Sequence, residues 1–187
     1  MSIPSSLLTQ QHFDQVRSFY DGAPTTLTRA ARGYRVLLAH YFNLLIPPGA
    51  SVLEIGCGSG GLLALLHAGK KTGLDLSATQ IAAARQRVPE AEYFVQAGEE
   101  LTLPGTYDII LVSDTLNLAA DVQLLLARLH PVSHTGTRII LNFHSALWRP
   151  VLTLARWLGL KSAQPHSSWL ATAGHVKKCG YRRTSTG

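Results

Sequence analysis

From Thr25 to Ile46, apolar residues recur at helical spacing, at Leu27, Ala31, Tyr34, Leu38, Tyr41 and Leu45, until Pro47-Pro48-Gly49 ends the segment. The spacing predicts one long N-terminal helix. Ser51–Ile55 then reads as a short buried strand, and Gly61–Ala68 as a helix stopped by Gly69. Lys71–Leu76 makes a second strand, and Ser77 caps a helix that runs to about Val88 before Pro89. Tyr93–Gln96 gives a third strand. Tyr107–Val112 gives a fourth, apolar enough to be covered on both faces as in a parallel sheet. A helix from Leu118 to Leu129, a fifth strand from Thr137 to Phe143, and helices near 146–160 and 168–179 complete the chain.

Strands alternating with helices predict an α/β fold: a Rossmann-like, doubly wound and mainly parallel sheet of about five strands, order 3-2-1-4-5. The expected organisation is one domain: a helical extension over 1–46, a cofactor-binding core over 50–145 and C-terminal helices over 146–187. Ligands on such sheets sit at the carboxyl ends of the strands, so the chemistry is sought there.

Composition narrows the classes. With 46% hydrophobic and 15% charged residues among 187, the chain has the balance of a packed globule. The net charge of +6 is spread along the chain and doubles up only at short pairs such as Lys70-Lys71 and Arg182-Arg183, so no nucleic-acid partner is expected. Cys57 and Cys179 stand far apart in no metal-binding or redox array, which fits a reduced, cytoplasmic compartment. Neither a signal segment nor a membrane-spanning run is apparent. The histidines lack ligand spacing, and no metal is expected, although Asp108, Asp114 and Asn117 could imitate a magnesium set.

The first strand ends in Gly56-Cys-Gly-Ser-Gly-Gly61. Glycines at a strand-to-helix turn let backbone approach a ligand closely, because no Cβ intervenes and positive φ is allowed. Asp75 ends the second strand, where a carboxylate can accept the hydroxyl protons of a ribose. Together they point to a nucleoside-containing ligand. The spacing also satisfies G-x-G-x-x-G, which keeps an NAD(P)-binding oxidoreductase open. Against it stands Glu54, since a carboxylate beside a pyrophosphate repels it, whereas a ligand carrying an ammonium and a sulfonium tolerates that charge. S-adenosylmethionine carries both.

Val52-Leu-Glu-Ile-Gly-Cys-Gly-Ser-Gly60, Gly73-Leu-Asp-Leu-Ser77 and Tyr107-Asp-Ile-Ile-Leu-Val-Ser-Asp114 resemble, in order, the first, second and fourth motifs of class I S-adenosylmethionine-dependent methyltransferases. The resemblance implies that Glu54, Gly56, Cys57, Gly58 and Gly60 cradle the methionine and ribose portions, that Asp75 holds the ribose hydroxyls and that Leu76 packs on adenine. It places Ser113 and Asp114 at the methionine end, facing the nucleophile. His144 and Asp114 are then the candidate catalytic bases, although methyl transfer from an activated leaving group obliges none.

Three departures accompany the resemblance. Ala97 stands where relatives often carry an acidic residue for adenine, leaving backbone near Gly98, or Glu99, to hold it. Ser113-Asp-Thr-Leu116 lacks the Asn/Asp-Pro-Pro-aromatic pattern associated with methylation of bases and glutamine. The antiparallel hairpin that usually closes the sheet is expected to be missing, since Tyr181-Arg-Arg183 stands where a sixth strand would begin. A truncated, non-catalytic nucleoside-binding domain is the reading this leaves open. Asp121–Trp169 also resembles a bacterial subgroup adjacent to family 2 glycosyltransferases, which implies a glycan- or lipid-linked or other small acceptor. The stripe Val151, Leu152, Ala155 and Leu158, with its flanking tryptophans and arginines, suggests packing on the sheet or a contact with a membrane surface.

Overall fold

The structure is a computed structural model that describes residues 5–142. Its elements are α1 (Ser5–Asp21), α2 (Arg29–Asn43), β1 (Ser51–Ile55), β2 (Lys70–Asp75), α3 (Ala78–Arg87), β3 (Glu92–Val95), β4 (Tyr107–Ser113), α4 (Val122–Arg128) and β5 (Ser133–Asn142). The strands form one parallel five-stranded sheet in the order β3-β2-β1-β4-β5, as the alternation predicts. The expected helices at 146–160 and 168–179, the closing hairpin and His144 lie outside the described residues.

Alternation along the strands divides the core between the two faces of the sheet. Val52, Ile109 and Leu111 point under α2 and α3, with Phe42, Leu62, Leu63 and Ile81. Leu53, Ile55, Ile110 and Val112 point the other way, under Leu125 and Leu129 of the α4 region. These strand residues are at most 1% exposed, so β1 and β4 are covered on both sides.

Four expectations change. The N-terminal extension holds two helices: α1 precedes the expected segment, and α2 starts only at Arg29. Thr28 explains that start, because its hydroxyl accepts the Ala31 N–H at 3.2 Å and caps the helix, leaving Leu27 outside it. In place of a helix over Gly61–Ala68 there is a single 3-10 turn at Leu63–Leu65. Leu62, Leu63 and Leu66 are all buried, and Gly69 must return directly to Ala50, its N–H donating to that carbonyl at 2.9 Å. A longer helix would overshoot this closure. The helix expected from Leu118 begins at Val122, where the Asp121 carboxylate caps it through the Leu124 N–H. β5 begins four positions earlier than its apolar run, with a register shift between Tyr107 and Ile109. Cross-strand hydrogen bonding recruits the polar start of this strand, which hydrophobicity alone does not mark.

Candidate functional site

The carboxyl ends of β1, β2 and β4 open into a cleft of about 260 Å³. Its floor is the turn after β1, where Gly56, Gly58 and Gly60 have φ of 75°, 52° and 72°. Only glycine takes these values cheaply. At Gly56 a Cβ would collide with the Thr115 side chain, whose hydroxyl donates to the Ile55 and Ser113 carbonyls at 3.0 Å. At Gly58 a Cβ would meet nothing within 4 Å, so this stretch of backbone borders open space in the cleft wall.

Asp75 closes one side. Its carboxylate accepts the Gly58 N–H at 2.8 Å and the Ser77 N–H at 2.9 Å, so β2 and the glycine turn are fixed by one side chain. Burial pushes its carboxyl above the ordinary range, against the pull of these amides. Each carboxylate oxygen keeps a further lone pair, so bracing the turn leaves it able to accept from a ligand. Leu76 stands beside it in the cleft wall.

Gly98 and Glu99 line the opposite side. Glu99 is buried, and its Oε1 accepts the Ala120 N–H at 2.8 Å. Burial raises its carboxyl, the Ala120 and Asp121 amides opposing. This carboxylate therefore braces the loop before α4. Ser113 and Asp114 complete the cleft at the end of β4.

Glu54, Cys57 and Gly60 do not line it. Cys57 is turned into the core, its sulfur against Gly73, and burial raises its thiol far above the usual range, which corrects its expected place on the cofactor surface. Gly60 packs behind the turn against Ala84. Glu54 is 1% exposed, and burial pushes its carboxyl up to about 8, with the Arg35 guanidinium acting the other way. The Leu63 N–H holds one side of this carboxylate, while Oε2 has no hydrogen-bond partner among the described residues. A buried carboxylate left in this state costs free energy until it is protonated or a cation approaches.

Several cleft residues escape the motif reading. α1 contributes Phe13, Val16, Arg17 and Tyr20, and α2 contributes Arg35. α1 is fixed over the cleft at its middle and at its C-terminal end. His12 contacts the Leu118 carbonyl at 2.7 Å through Nε2, and Ser77 donates to Asp21 at 2.5 Å while Gln80 donates to the Tyr20 carbonyl at 3.1 Å. The signal was in the sequence: Phe13, Val16 and Tyr20 are spaced for one helical face. Among the described residues, no three His, Cys, Asp or Glu side chains gather as a metal set, and no helix is long and apolar enough to cross a membrane.

Residues 52–136 match the family model described as a methyltransferase domain. The ribosomal protein L11 methyltransferase of Burkholderia thailandensis is 30% identical over 148 residues, covering 74% of this chain and 47% of that protein. The chain thus spans about half the length of the curated relatives it first matches. A solved S-adenosylmethionine-dependent methyltransferase of Thermotoga maritima, described as a possible histamine N-methyltransferase, superposes with TM-score 0.61 at 17% identity, covering 90% of this chain and 80% of that one. The plantazolicin methyltransferase BpumL superposes equally, with TM-score 0.61 at 22% identity over 94% and 72% of the two chains. Over residues 52–136 the chain is thus similar to a methyltransferase domain, and its fold is that of the solved S-adenosylmethionine-dependent methyltransferases.

Proposed function

We propose that the chain transfers a methyl group from S-adenosylmethionine to a small-molecule or carrier-linked acceptor. The observation that carries this reading is the positive-φ glycine turn joined by the Asp75 carboxylate, at the carboxyl end of a parallel sheet. The residues fit the donor. The exposed backbone at Gly58 admits a ligand where a Cβ would stand, Asp75 suits ribose hydroxyls, and the cationic Arg17 and Arg35 in the cleft suit a carboxylate. The buried Glu54 carboxyl, with Oε2 lacking a hydrogen-bond partner among the described residues, suits a nearby positive charge that favours its ionised form. The donor supplies an activated methyl group, and the chain's part is to hold it, align the acceptor and exclude water. Phe13, Val16 and Tyr20 of α1 perform the last task by walling the cleft with apolar surface.

The relatives' names cover a ribosomal protein, a possible histamine N-methyltransferase, a glycopeptide N-methyltransferase and a plantazolicin methyltransferase, which supports peptide and small-molecule acceptors as a class. A glycan- or lipid-linked acceptor, supplied by a neighbouring glycosyltransferase or met at a membrane surface, is the finer reading that the sequence resemblance adds. We place the reaction in the cytoplasm. Incubation with methyl-tritiated S-adenosylmethionine and pools of peptides, amines, aminosugars and lipid-linked glycans tests the activity. Label should enter an acceptor of one pool in wild type and fail to do so in Gly56→Ala. Donor binding without transfer to any pool would make the chain a nucleoside-binding domain instead.

A further inference from the structure

Eight large apolar side chains are exposed among the described residues, and six of them lie between Tyr34 and Leu45. Tyr34, Leu37, Tyr41, Leu44 and Leu45 fall at helical spacing along one side of α2 and the turn after it, from 41% exposed at Tyr34 to 72% at Leu44. The other side of α2 packs on the sheet through Ala39, Phe42 and Ile46. A helix apolar on both sides is normally covered on both, and a contiguous exposed apolar ridge marks contact with a partner.

Cations rim this ridge. Arg29 and Arg32 are exposed on the first turn of α2, and exposed Arg138 of β5 donates to the Leu45 carbonyl at 3.4 Å at the far end. No Asp or Glu stands between Asp21 and Glu54, and Glu54 is buried. Of the acids that approach from other elements, Asp114 accepts from the Tyr34 hydroxyl at 3.2 Å, and Asp108 is held by Ser51 and His134. The net charge of +6 is also less even than its short pairs suggest. Residues 143–187 hold seven of the 17 Lys and Arg and none of the 11 Asp and Glu, so the whole excess lies there, together with all three tryptophans. Asn142, the last described residue before them, donates to the Tyr34 oxygen at 2.9 Å.

An apolar ridge rimmed by cations matches a surface that is apolar beneath anionic headgroups. A nucleic acid offers no apolar layer for Leu37, Leu44 and Leu45, and a second copy would set a cationic rim against itself. We propose that the outer face of α2 docks the chain on an anionic lipid bilayer. Leu37, Tyr41, Leu44 and Leu45 enter the headgroup boundary, and Arg29, Arg32 and Arg138 meet lipid phosphates. Docking brings the edge of the cleft, where Tyr34 meets Asp114, to the bilayer surface, within reach of a lipid-carried acceptor. It is independent of what fills the cleft.

Co-sedimentation of the full chain with vesicles tests this. Phosphatidylcholine vesicles holding about 30% phosphatidylserine should bind at least about tenfold more tightly than phosphatidylcholine alone, and added salt should release the chain. Leu37→Glu combined with Leu44→Glu, both exposed positions, should weaken vesicle binding at least about tenfold and leave the urea midpoint and S-adenosylhomocysteine affinity unchanged. Arg29→Gln combined with Arg32→Gln should reduce the preference for anionic vesicles about tenfold. No binding to anionic vesicles overturns the proposal, as does binding that both double variants leave intact. Retention on duplex RNA without vesicle binding, or a dimer that the leucine variant splits without vesicle binding, overturns it in favour of a nucleic acid or a second copy. Vesicle binding without S-adenosylhomocysteine binding overturns the methyltransferase reading and leaves this one standing.

Discussion

The two ends of the sheet carry carboxylates in opposite states. At the carboxyl end Glu54, Asp75 and Glu99 are all raised, desolvation leading in each case. At the amino end Asp108 is lowered, first by the Ser51 backbone and hydroxyl hydrogen bonds and then by His134. Ser51 donates to Asp108 from both N–H and hydroxyl, at 2.8 and 2.7 Å, and His134 reaches the other oxygen at 3.2 Å. One end stitches β1, β4 and β5 together with satisfied groups. The other holds buried carboxyls, left-handed backbone at the non-glycine Asp114, and a carboxyl oxygen with no hydrogen-bond partner among the described residues. Strained backbone at Asp114 and the unsatisfied Glu54 carboxyl gather where a ligand would relieve them.

The largest effect should come from the glycine turn. Gly56→Ala forces a Cβ into Thr115 at a φ that alanine rarely adopts, and should cost about 2–4 kcal/mol of stability together with S-adenosylhomocysteine binding. Urea unfolding and calorimetry measure both. Asp75→Ala should weaken that binding by roughly 30-fold, about 2 kcal/mol, because it removes hydrogen bonds to a charged group. An unchanged affinity would take Asp75 out of the site.

A smaller effect follows from Glu54. Its folded-state value of about 8 stands above the ordinary 4.5, so between those pH values the folded chain keeps a proton that the unfolded chain has lost. Stability should therefore fall as pH rises through that window. Glu54→Gln should flatten the slope and raise stability at pH 8 by about 1–2 kcal/mol, and Arg35→Ala should steepen it. Thermal melting at pH 5 to 8 reads the sign. At the amino end, Asp108→Asn should cost only about 1 kcal/mol through weakened hydrogen bonds to Ser51 and leave S-adenosylhomocysteine affinity unchanged. A loss of binding there would abolish the contrast between the two ends.

Much of this was legible because strands β1 and β4 are hydrophobic enough to announce a doubly covered sheet, and because glycines followed by Asp75 at a strand end have few other uses. Gly56, Gly58, Asp75, Leu76, Gly98, Glu99, Ser113 and Asp114 all reach the cleft. The helical spacing of Tyr34 favours core packing over a place at the ligand, yet its ring is exposed, and only the three-dimensional crossing of α2 over β5 brings it to Asp114. Cys57 misled for a related reason. Its neighbours line the cleft, but strand-like alternation at the turn sends its own side chain to Gly73. The Leu62–Leu66 run shows the limit of periodicity: Leu62, Leu63 and Leu66 are buried and Ala64 exposed, spacing that a helix would share, and chain closure at Gly69 decided the shape.

The carboxyl end of the sheet is built to hold S-adenosylmethionine. Titration calorimetry of the wild-type chain with S-adenosylhomocysteine, and in parallel with NADH, tests it most directly. One-to-one binding of S-adenosylhomocysteine in the micromolar range, with no heat from NADH, is the expected result. Silence from S-adenosylhomocysteine at millimolar concentration, or tighter binding of NADH, would contradict it.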